Sequence, residues 1–360
     1  MRKLFICFGL LLIFSGVAFG VDLEDAFGME AVEEALPENA KGYMAGISID
    51  DTGDLGDGIS AIVCGALGDS GGAMKRAVGL GVQIVAIVLL ASVMGFVGDG
   101  KTVQASGLAA VLAIGMCCIS RISGYFTEVA ETVDSISAFS GFLFSALAAS
   151  TAATGAVGTS TALYGVTVAV CSLISRGMQL LFLPGISCYM ALMLASSAVG
   201  DNSLSMVADT IKQLLTLVLK FAVIGFTAYL SLTGVVSGSA DSASIRAAKL
   251  TISTAVPVVG SLIADASETL LVSAGLLRSG IGIFGMLGVL AVSIGPFLET
   301  GVGYLVLKCT AAVSASTGEK QLSGFISALA SGFGLLTALV GVCTLLIIIA
   351  CVCFMRVSVG

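Results

Sequence analysis

The sequence lacks histidine and tryptophan, and only 11% of its 360 residues are charged. Soluble domains carry about 25% charged residues. Without histidine the chain cannot build a Ser-His-Asp triad, a Cys-His pair, a His-ligated zinc site or a histidine proton switch. The low charge excludes an ordinary water-soluble fold, a disordered chain and a nucleic-acid-binding protein with a basic stripe.

The ten cysteines do not indicate a metal site. Cys117 and Cys118 are adjacent, and one residue separates Cys351 from Cys353, so these pairs lack the C-x-x-C spacing of zinc ligands. Most cysteines lie in apolar runs, where a thiol behaves as a small hydrophobic group. The acidic run 50–57 lacks the alternating ligands and final glutamate of a calcium-binding EF-hand. The sequence therefore predicts no metal, no cofactor and, for this run, a solvated acidic segment.

Apolar residues make up 57% of the chain, and the mean hydropathy is +1.08. A helix needs about 20 apolar residues to cross the hydrocarbon core of a bilayer. The runs predict an all-α, polytopic transmembrane bundle of about seven or eight spans, with two crossings in the longest run. These runs cover residues 77–98, 102–120, 135–175, 177–200, 214–236, 279–298 and 321–355. Residues 250–264 are interpreted as a re-entrant or interfacial element, and residues 300–318 as a partial crossing or an interior-facing span.

The amino terminus predicts a cleaved signal peptide over residues 1–20. Arg2 and Lys3 form a basic region, residues 4–17 are apolar, and residues 18–20 fit a small-x-small cleavage site. An uncleaved first helix is the alternative. Cleavage leaves the mature amino terminus outside the cytoplasm. Residues 21–74 then form an acidic extracytoplasmic segment, in which residues 30–35 predict one or two helical turns ended by Pro37, and residues 75–360 form the transmembrane domain.

The densest group of charged and helix-breaking residues lies between residues 246 and 278. It comprises Arg246, Lys249, Pro257, Gly260, Asp265, Glu268 and Arg278. Asp265 and Glu268 are three residues apart, so a helix places both on one face. Ionisable groups beside membrane spans usually pair or line an aqueous path. Two interpretations follow: a polar gate around a Pro-Gly break, or interfacial ion pairs that cap two helices.

Other candidates are helix breaks at Pro184, Gly185 and Pro296, and the charged pair Glu299 and Lys308. Helical geometry separates Glu299 from Lys308 by about 13.5 Å along the axis. They mark either a polar interior seam or side chains that extend to opposite interfaces. Glu128, Glu131 and Asp134 are interpreted as a solvated helix start, where acidic residues suit the helix dipole.

Small residues indicate close contacts between helices. Ala330, Gly334 and Ala338 recur at every fourth position, a spacing that lets helix backbones approach closely. They predict a contact within the chain or between the subunits of a homo-oligomer.

No catalytic residue is predicted. Intramembrane proteolysis by a serine or metal mechanism usually needs histidine, and the aspartyl type needs two aspartates inside spans. The aspartates here lie mainly in loops or at span ends. We therefore expect no enzymatic activity.

Four segments of the carboxyl-terminal part are distinctive: AVPVVGSLIADASETLLVSAGLLRSGIGIFGMLGVL (255–290), GPFLE (295–299), LKCTAAV (307–313) and GEKQLSGFISALASGFGLL (318–336). On these segments the chain resembles the stage III sporulation protein AE family of endospore-forming bacteria. It implies a subunit of a channel or secretion-like assembly in the mother-cell membrane around the forespore. It also implies partners that include an ATPase and ring-forming proteins, and it supplies no catalytic or ligand-binding residue.

The alternative function is a stand-alone secondary transporter or permease for a small solute. Such a protein needs a mid-membrane site between broken helices, ideally in matching halves. Pro184-Gly185 and Pro257–Gly260 are candidate breaks, but the sequence shows no convincing internal repeat. In both readings the direct environment is membrane lipid, and no nucleic acid is expected.

Overall fold

A computed structural model describes residues 29–47, 55–97, 100–153, 157–200, 203–228 and 260–356, and these are helical apart from short turns. The helices are α1 (Met29–Glu34), α2 (Glu38–Lys41), α3 (Leu55–Asp69), α4 (Gly71–Val97), α5 (Gly100–Ala153), α6 (Val157–Gly177), α7 (Leu183–Val199), α8 (Ser203–Ala228), α9 (Gly260–Ser316) and α10 (Lys320–Arg356). A π-helical segment, Met178–Phe182, joins α6 to α7 without a loop.

Six helices in the described ranges are long and apolar enough to cross a membrane. The predicted seven or eight spans were counted over the whole chain, and part of the predicted span 214–236 lies outside these ranges. The predicted span 102–120 and the first part of 135–175 belong to one helix, α5. The predicted span 279–298 likewise lies in one helix, α9, with most of residues 300–318, the segment interpreted as a partial crossing or an interior-facing span; this helix ends at Ser316.

The residues between the predicted spans explain why each pair forms one continuous helix. Residues 121–134, which separate the two apolar parts of α5, include charged residues but no proline, and charged side chains do not interrupt a helix. Residues 295–299 contain Pro296, but α9 continues through it. Proline lacks the N–H that would bond the carbonyl four residues earlier, yet the helix persists. In the turn after Pro296 the side chain of Thr300 donates a hydrogen bond of 2.8 Å to the Pro296 carbonyl.

The buried side chains form two hydrophobic cores that share long helices. The first core combines α1–α3 with the second half of α5, the end of α8, the middle of α9 and the end of α10. The second core combines α4, the first half of α5, α7 and α8 with the end of α9 and the first two-thirds of α10. Helices α5, α8, α9 and α10 thus run from one core into the other.

Helix length limits how this arrangement can fit a bilayer. Helix α5 has 54 residues and α9 has 57. At 1.5 Å per residue they are about 81 Å and about 86 Å long. A bilayer with its headgroups is about 40–45 Å thick, and helix tilts rarely exceed about 40°. A straight helix of this length therefore extends beyond the membrane.

The two cores differ in their outer surfaces. Exposed apolar side chains are concentrated on the helices around the second core, for example Val82, Leu90 and Phe96 of α4, Met116 of α5 and Phe221 of α8. Phe96 is 94% exposed. In the parts of α5, α9 and α10 that build the first core, the exposed large apolar residues among the described side chains are Phe142, Phe297 and Leu345. The outside of the second core therefore has the character of a lipid-facing surface.

The amino-terminal segment packs against the helical body. Helix α1 confirms the predicted turns before Pro37. Val32, Leu36 and Met44 are buried in the first core, together with Ile62 of α3. The predicted signal peptide and most of the acidic run 50–57 lie outside the described residues, and within that run Asp57 is exposed on α3.

Gly288 tests the packing of the first core. An added Cβ atom there would lie 2.8 Å from Cζ of Phe139 and 3.1 Å from Cδ1 of Leu36. We expect Gly288→Ala to lower stability by about 1 kcal/mol, since overpacking costs about 1–3 kcal/mol and the gain in helix propensity is smaller. Thermal unfolding of the detergent-purified protein measures this change.

The matched control is Gly301→Ala on the same helix. Its added Cβ would meet Cγ2 of Thr337 at 3.7 Å, an ordinary contact. This variant should be as stable as the parent or slightly more stable. Equal unfolding temperatures for the two variants would contradict the packing described for Gly288.

Candidate functional site

Charged side chains from three helices meet between the two cores. Nη2 of Arg76, on α4, lies 2.6 Å from Oε1 of Glu299, on α9. Nη1 of Arg121, on α5, donates a hydrogen bond of 3.1 Å to the backbone carbonyl of Arg76. We call Arg76, Arg121, Glu128 and Glu299 the charged belt. It joins α4, α5 and α9 at the level where the second core gives way to the first.

Two polar cavities adjoin the charged belt, and Glu128 lines both. The smaller cavity, of about 280 Å³, is lined by Arg76, Arg121, Gly124, Tyr125, Glu128 and Glu299. The larger one, of about 390 Å³, extends between α5 and α9 to Glu38 and Tyr43 of the amino-terminal segment. Both cavities have room for several water molecules and polar groups to bind them. The belt therefore adjoins space that water can enter, between two apolar regions.

Tyr43, which follows α2, lines the larger cavity. Burial raises the pKa of the Tyr43 phenol, and the nearby carboxylates of Asp69 and Glu299 raise it further. The phenol consequently stays neutral at physiological pH and serves as a hydrogen-bonding group at the edge of the cavity.

The belt does not have the chemistry of a cation site. Two guanidinium groups stand among the carboxylates, and they neutralise the charge that would attract a metal ion. In the described ranges no three His, Cys, Asp or Glu side chains are grouped as metal ligands. The arrangement instead suits an electrostatic joint between helices.

A second polar group lies inside the second core. Nζ of Lys308, on α9, donates to Oγ of Ser327 at 3.0 Å, and Nζ of Lys212, on α8, donates to Oγ of Ser331 at 3.2 Å. Ser327 and Ser331 are one turn apart on α10. We call these four residues the lysine–serine cluster. Lys308 and Glu299, predicted as one seam, thus belong to two separate polar groups.

The structure also places the predicted helix breaks. Pro296 is an interior residue of α9 and lines the larger cavity. Pro184 lies in the first turn of α7, directly after the π-helical segment. Proline has no backbone N–H and crowds the preceding turn, which explains the irregular helix there. An added Cβ at Gly185 would lie 3.2 Å from Cδ2 of Leu215, so this glycine permits a close contact between α7 and α8.

The three small residues of α10 have different surroundings. Ala330 is fully buried in the second core, and Gly334 packs against the ring of Tyr304. Ala338 is exposed. The first two residues make contacts within the chain, and the predicted contact between subunits stays a prediction.

The predicted gate residues fall at the edge of the described region. Pro257 lies outside it. Gly260, Asp265, Glu268 and Arg278 belong to the helical backbone of α9. The role predicted for their side chains stays a prediction.

Several members of the two polar groups were not predicted as site residues. Arg76 and Arg121 lie directly outside the predicted spans 77–98 and 102–120, and neither is assigned to a site from the sequence. Glu128 is interpreted from the sequence as part of a solvated helix start. The structure corrects the last interpretation, because Glu128 lies in the middle of α5 and faces Arg76 and Glu299. Serines at positions 323, 327 and 331 recur every fourth residue in an apolar run. That pattern was the available signal for a polar face on α10.

A double-mutant cycle tests the Arg76–Glu299 pair. The Arg76 side chain is 59% exposed and that of Glu299 is 21% exposed. We expect Arg76→Gln and Glu299→Gln to show a coupling free energy of about 1 kcal/mol, the upper range for a partly solvated pair. Thermal unfolding of the two single variants and the double variant gives the value.

The control cycle uses Lys41→Gln and Glu38→Gln. This pair has the same N–O distance of 2.6 Å, but the Glu38 side chain is 88% exposed. Its coupling should be close to zero, because solvent screens it. Equal coupling in the two cycles would show that the belt holds its helices no better than a surface pair.

Comparison with known proteins assigns the family. Neither the curated proteins nor the solved structures gave a match to this chain. The family model described as "Stage III sporulation protein AE" matches residues 52–358, which is most of the sequence. The chain therefore belongs to the stage III sporulation protein AE family, whose members are membrane components of a sporulation channel and not enzymes.

Proposed function

We propose that this chain works in the mother-cell membrane around the forespore, as a membrane subunit of the channel that joins the two cells. Its partners there are the other components of the channel, including an ATPase and ring-forming proteins. The observation that carries this proposal is the family match over residues 52–358, on a chain with six candidate membrane helices in the described ranges.

The two cores suggest how the subunit sits in that membrane. The second core is the part embedded in lipid, because its outer surface is apolar. The first core projects beyond the bilayer, because α5 and α9 are too long to be contained in it. Removal of the predicted signal peptide places α1–α3, and hence the first core, on the extracytoplasmic side. That side is the space between the mother cell and the forespore.

The charged belt has a defined role in this arrangement. It lies at the boundary between the lipid-embedded and the projecting part, where ionised groups can keep contact with water. Arg76 and Glu299 hold α4 against α9, and Arg121 ties α5 to both. The belt thereby fixes the projecting core on its membrane base. Asp265 and Glu268 remain proposed as a polar gate at the far end of α9.

The structure gives little support to the alternative of a stand-alone transporter. A transporter site needs half-helices whose free ends point at the substrate. At Pro184-Gly185 the chain instead stays helical from α6 through the π-helical segment into α7. The family assignment also favours a channel component.

The function is tested by deletion in the endospore-forming host. Loss of the chain should arrest spore development after engulfment and reduce heat-resistant spores by several orders of magnitude. The full chain supplied in trans should restore them, and a fluorescent fusion should surround the forespore. Normal spore numbers in the deletion strain would refute the proposal.

Cysteine labelling tests the placement in the membrane. Cys64 of α3 and Cys309 of α9 are both exposed, and Cys309 has exposed apolar neighbours at Leu305 and Val313. In single-cysteine variants a water-soluble maleimide should label Cys64 at least about tenfold faster, because the reaction needs the hydrated thiolate. Equal rates in intact membranes would contradict a lipid-embedded second core.

A further inference from the structure

Lys212 and Lys308 are two positive charges with no acidic partner in the described part of the chain. The ion pairs there are Lys41–Glu38 and Arg76–Glu299. Both lysines are half-buried, and each donates to a neutral serine hydroxyl. A serine satisfies one N–H group but does not neutralise the charge. Charged groups at membrane depth are costly unless they pair, so this cluster lacks a counter-charge.

Three helices give the depth of the cluster independently. Gln321, at the start of α10, bonds the carbonyl of Ser197 at the end of α7, and α8 begins shortly after, so these helix ends lie at one face. Lys212 is nine residues into α8, Lys308 is eight residues before the end of α9, and Ser327 is seven residues into α10. These counts correspond to depths of about 13.5, 12 and 10.5 Å. The cluster thus lies near the middle of a hydrocarbon core of about 30 Å.

Exposed apolar residues lie near this level on both helices that carry the lysines. On α8 they include Val207 and Leu214, on either side of Lys212. On α9 they are Leu305 and Val313, on either side of Lys308. A lysine near a helix end can extend its amino group to the lipid headgroups, but these lysines lie too deep for that. The headgroup phosphates are therefore not the missing counter-charge.

The acidic residue nearest in sequence is Asp209, one turn before Lys212 on α8. It is exposed and lies close enough to Tyr189 to interact with it electrostatically. It forms no ion pair with Lys212 in the described structure. The two ammonium groups are directed at α10, where Ser327 and Ser331 are also half-buried. The Ser331 hydroxyl accepts from Lys212 and donates to the Ser327 carbonyl at 3.1 Å, so it positions the Lys212 ammonium group.

We propose that Lys212, Lys308, Ser327 and Ser331 form a site that binds the carboxylate of an aspartate or glutamate on a membrane helix of a partner protein. The apolar residues beside the lysines contact the rest of that helix, and the buried ion pair fixes its depth and orientation. This inference rests on the proposed function, since it requires that the second core lie in lipid and that the subunit work in a larger assembly.

Carbodiimide coupling in membranes from sporulating cells tests the contact directly. Dicyclohexylcarbodiimide joins a carboxylate to an adjacent amine as an amide and releases a urea. We expect mass spectrometry to find Lys212 or Lys308 linked to an acidic residue in an apolar segment of another protein. A link only to an acidic residue of this chain, or no link at either lysine in membranes where Lys41 is linked to Glu38, would overturn the proposal.

Substitution gives a second readout. Lys212→Met with Lys308→Met keeps the length of both side chains and removes their charge. We expect heat-resistant spores to fall by at least about tenfold, the effect of one lost ion pair on an equilibrium constant, with unchanged protein amount and thermal stability. Lys220→Met, an exposed lysine on the same helix, is the matched control and should have no effect.

Two further outcomes separate the alternatives. If Asp209→Asn causes the same loss as the double methionine variant, the lysines are neutralised within the chain and the proposal fails. If the methionine variant forms spores normally while the deletion strain does not, the binding site is refuted and the proposed function stands. If the deletion strain itself forms spores normally, it is the proposed function that fails.

Discussion

The free energy needed to remove a charge from water governs how this chain is built. Charged residues are scarce, and those inside the described helical body are confined to a few levels. At one level Arg76, Arg121, Glu128 and Glu299 surround two cavities large enough for water. At the level of the lysine–serine cluster, each of the two lysines donates a hydrogen bond to its own serine hydroxyl on α10. The charged belt separates the two apolar cores, and the lysine–serine cluster lies inside the second core. These polar contacts set the position of each core along the helices.

The length of the helices has the next largest consequence. Four of the described helices, α5, α8, α9 and α10, pass from the second core into the first, so the part outside the bilayer is a direct extension of the part inside it. No flexible linker separates them in α5, α9 or α10. A rotation or shift of α9 in the membrane would therefore be transmitted to the residues that pack against α1–α3. In a channel subunit such rigid continuity can link an event in lipid to contacts made above it.

Composition and hydropathy were sufficient to predict an all-helical membrane protein, because a long uncharged run has few alternatives. They did not predict the number of helices. The charges at 121–134 were interpreted as a boundary between spans, whereas α5 continues through them because no residue there breaks a helix. The ion pair between Arg76 and Glu299 could not be predicted from the sequence either, because the two residues are 223 positions apart. A single sequence shows which charges are present but not which helices bring them together. Lys308 could be recognised as unusual, but Ser327 could be identified as its partner only from the fold.

Helix α9 contributes a residue to both polar groups, Glu299 to the charged belt and Lys308 to the lysine–serine cluster, and the two groups have different roles. Glu299 lies at the hydrated boundary, where Arg76 already supplies its counter-charge. Lys308 lies about 13.5 Å further along the same helix, deeper in the apolar layer, where its described partner is a neutral hydroxyl. The pair at the boundary is complete within the chain, so it stabilises the fold. The lysine–serine cluster carries positive charge that no acidic group of the described chain neutralises. In a low-dielectric region such a charge favours association with a negatively charged group. The cost of leaving a charge unpaired in an apolar region therefore stabilises the Arg76–Glu299 contact within the subunit, and it also favours a partner that brings a carboxylate to the two lysines.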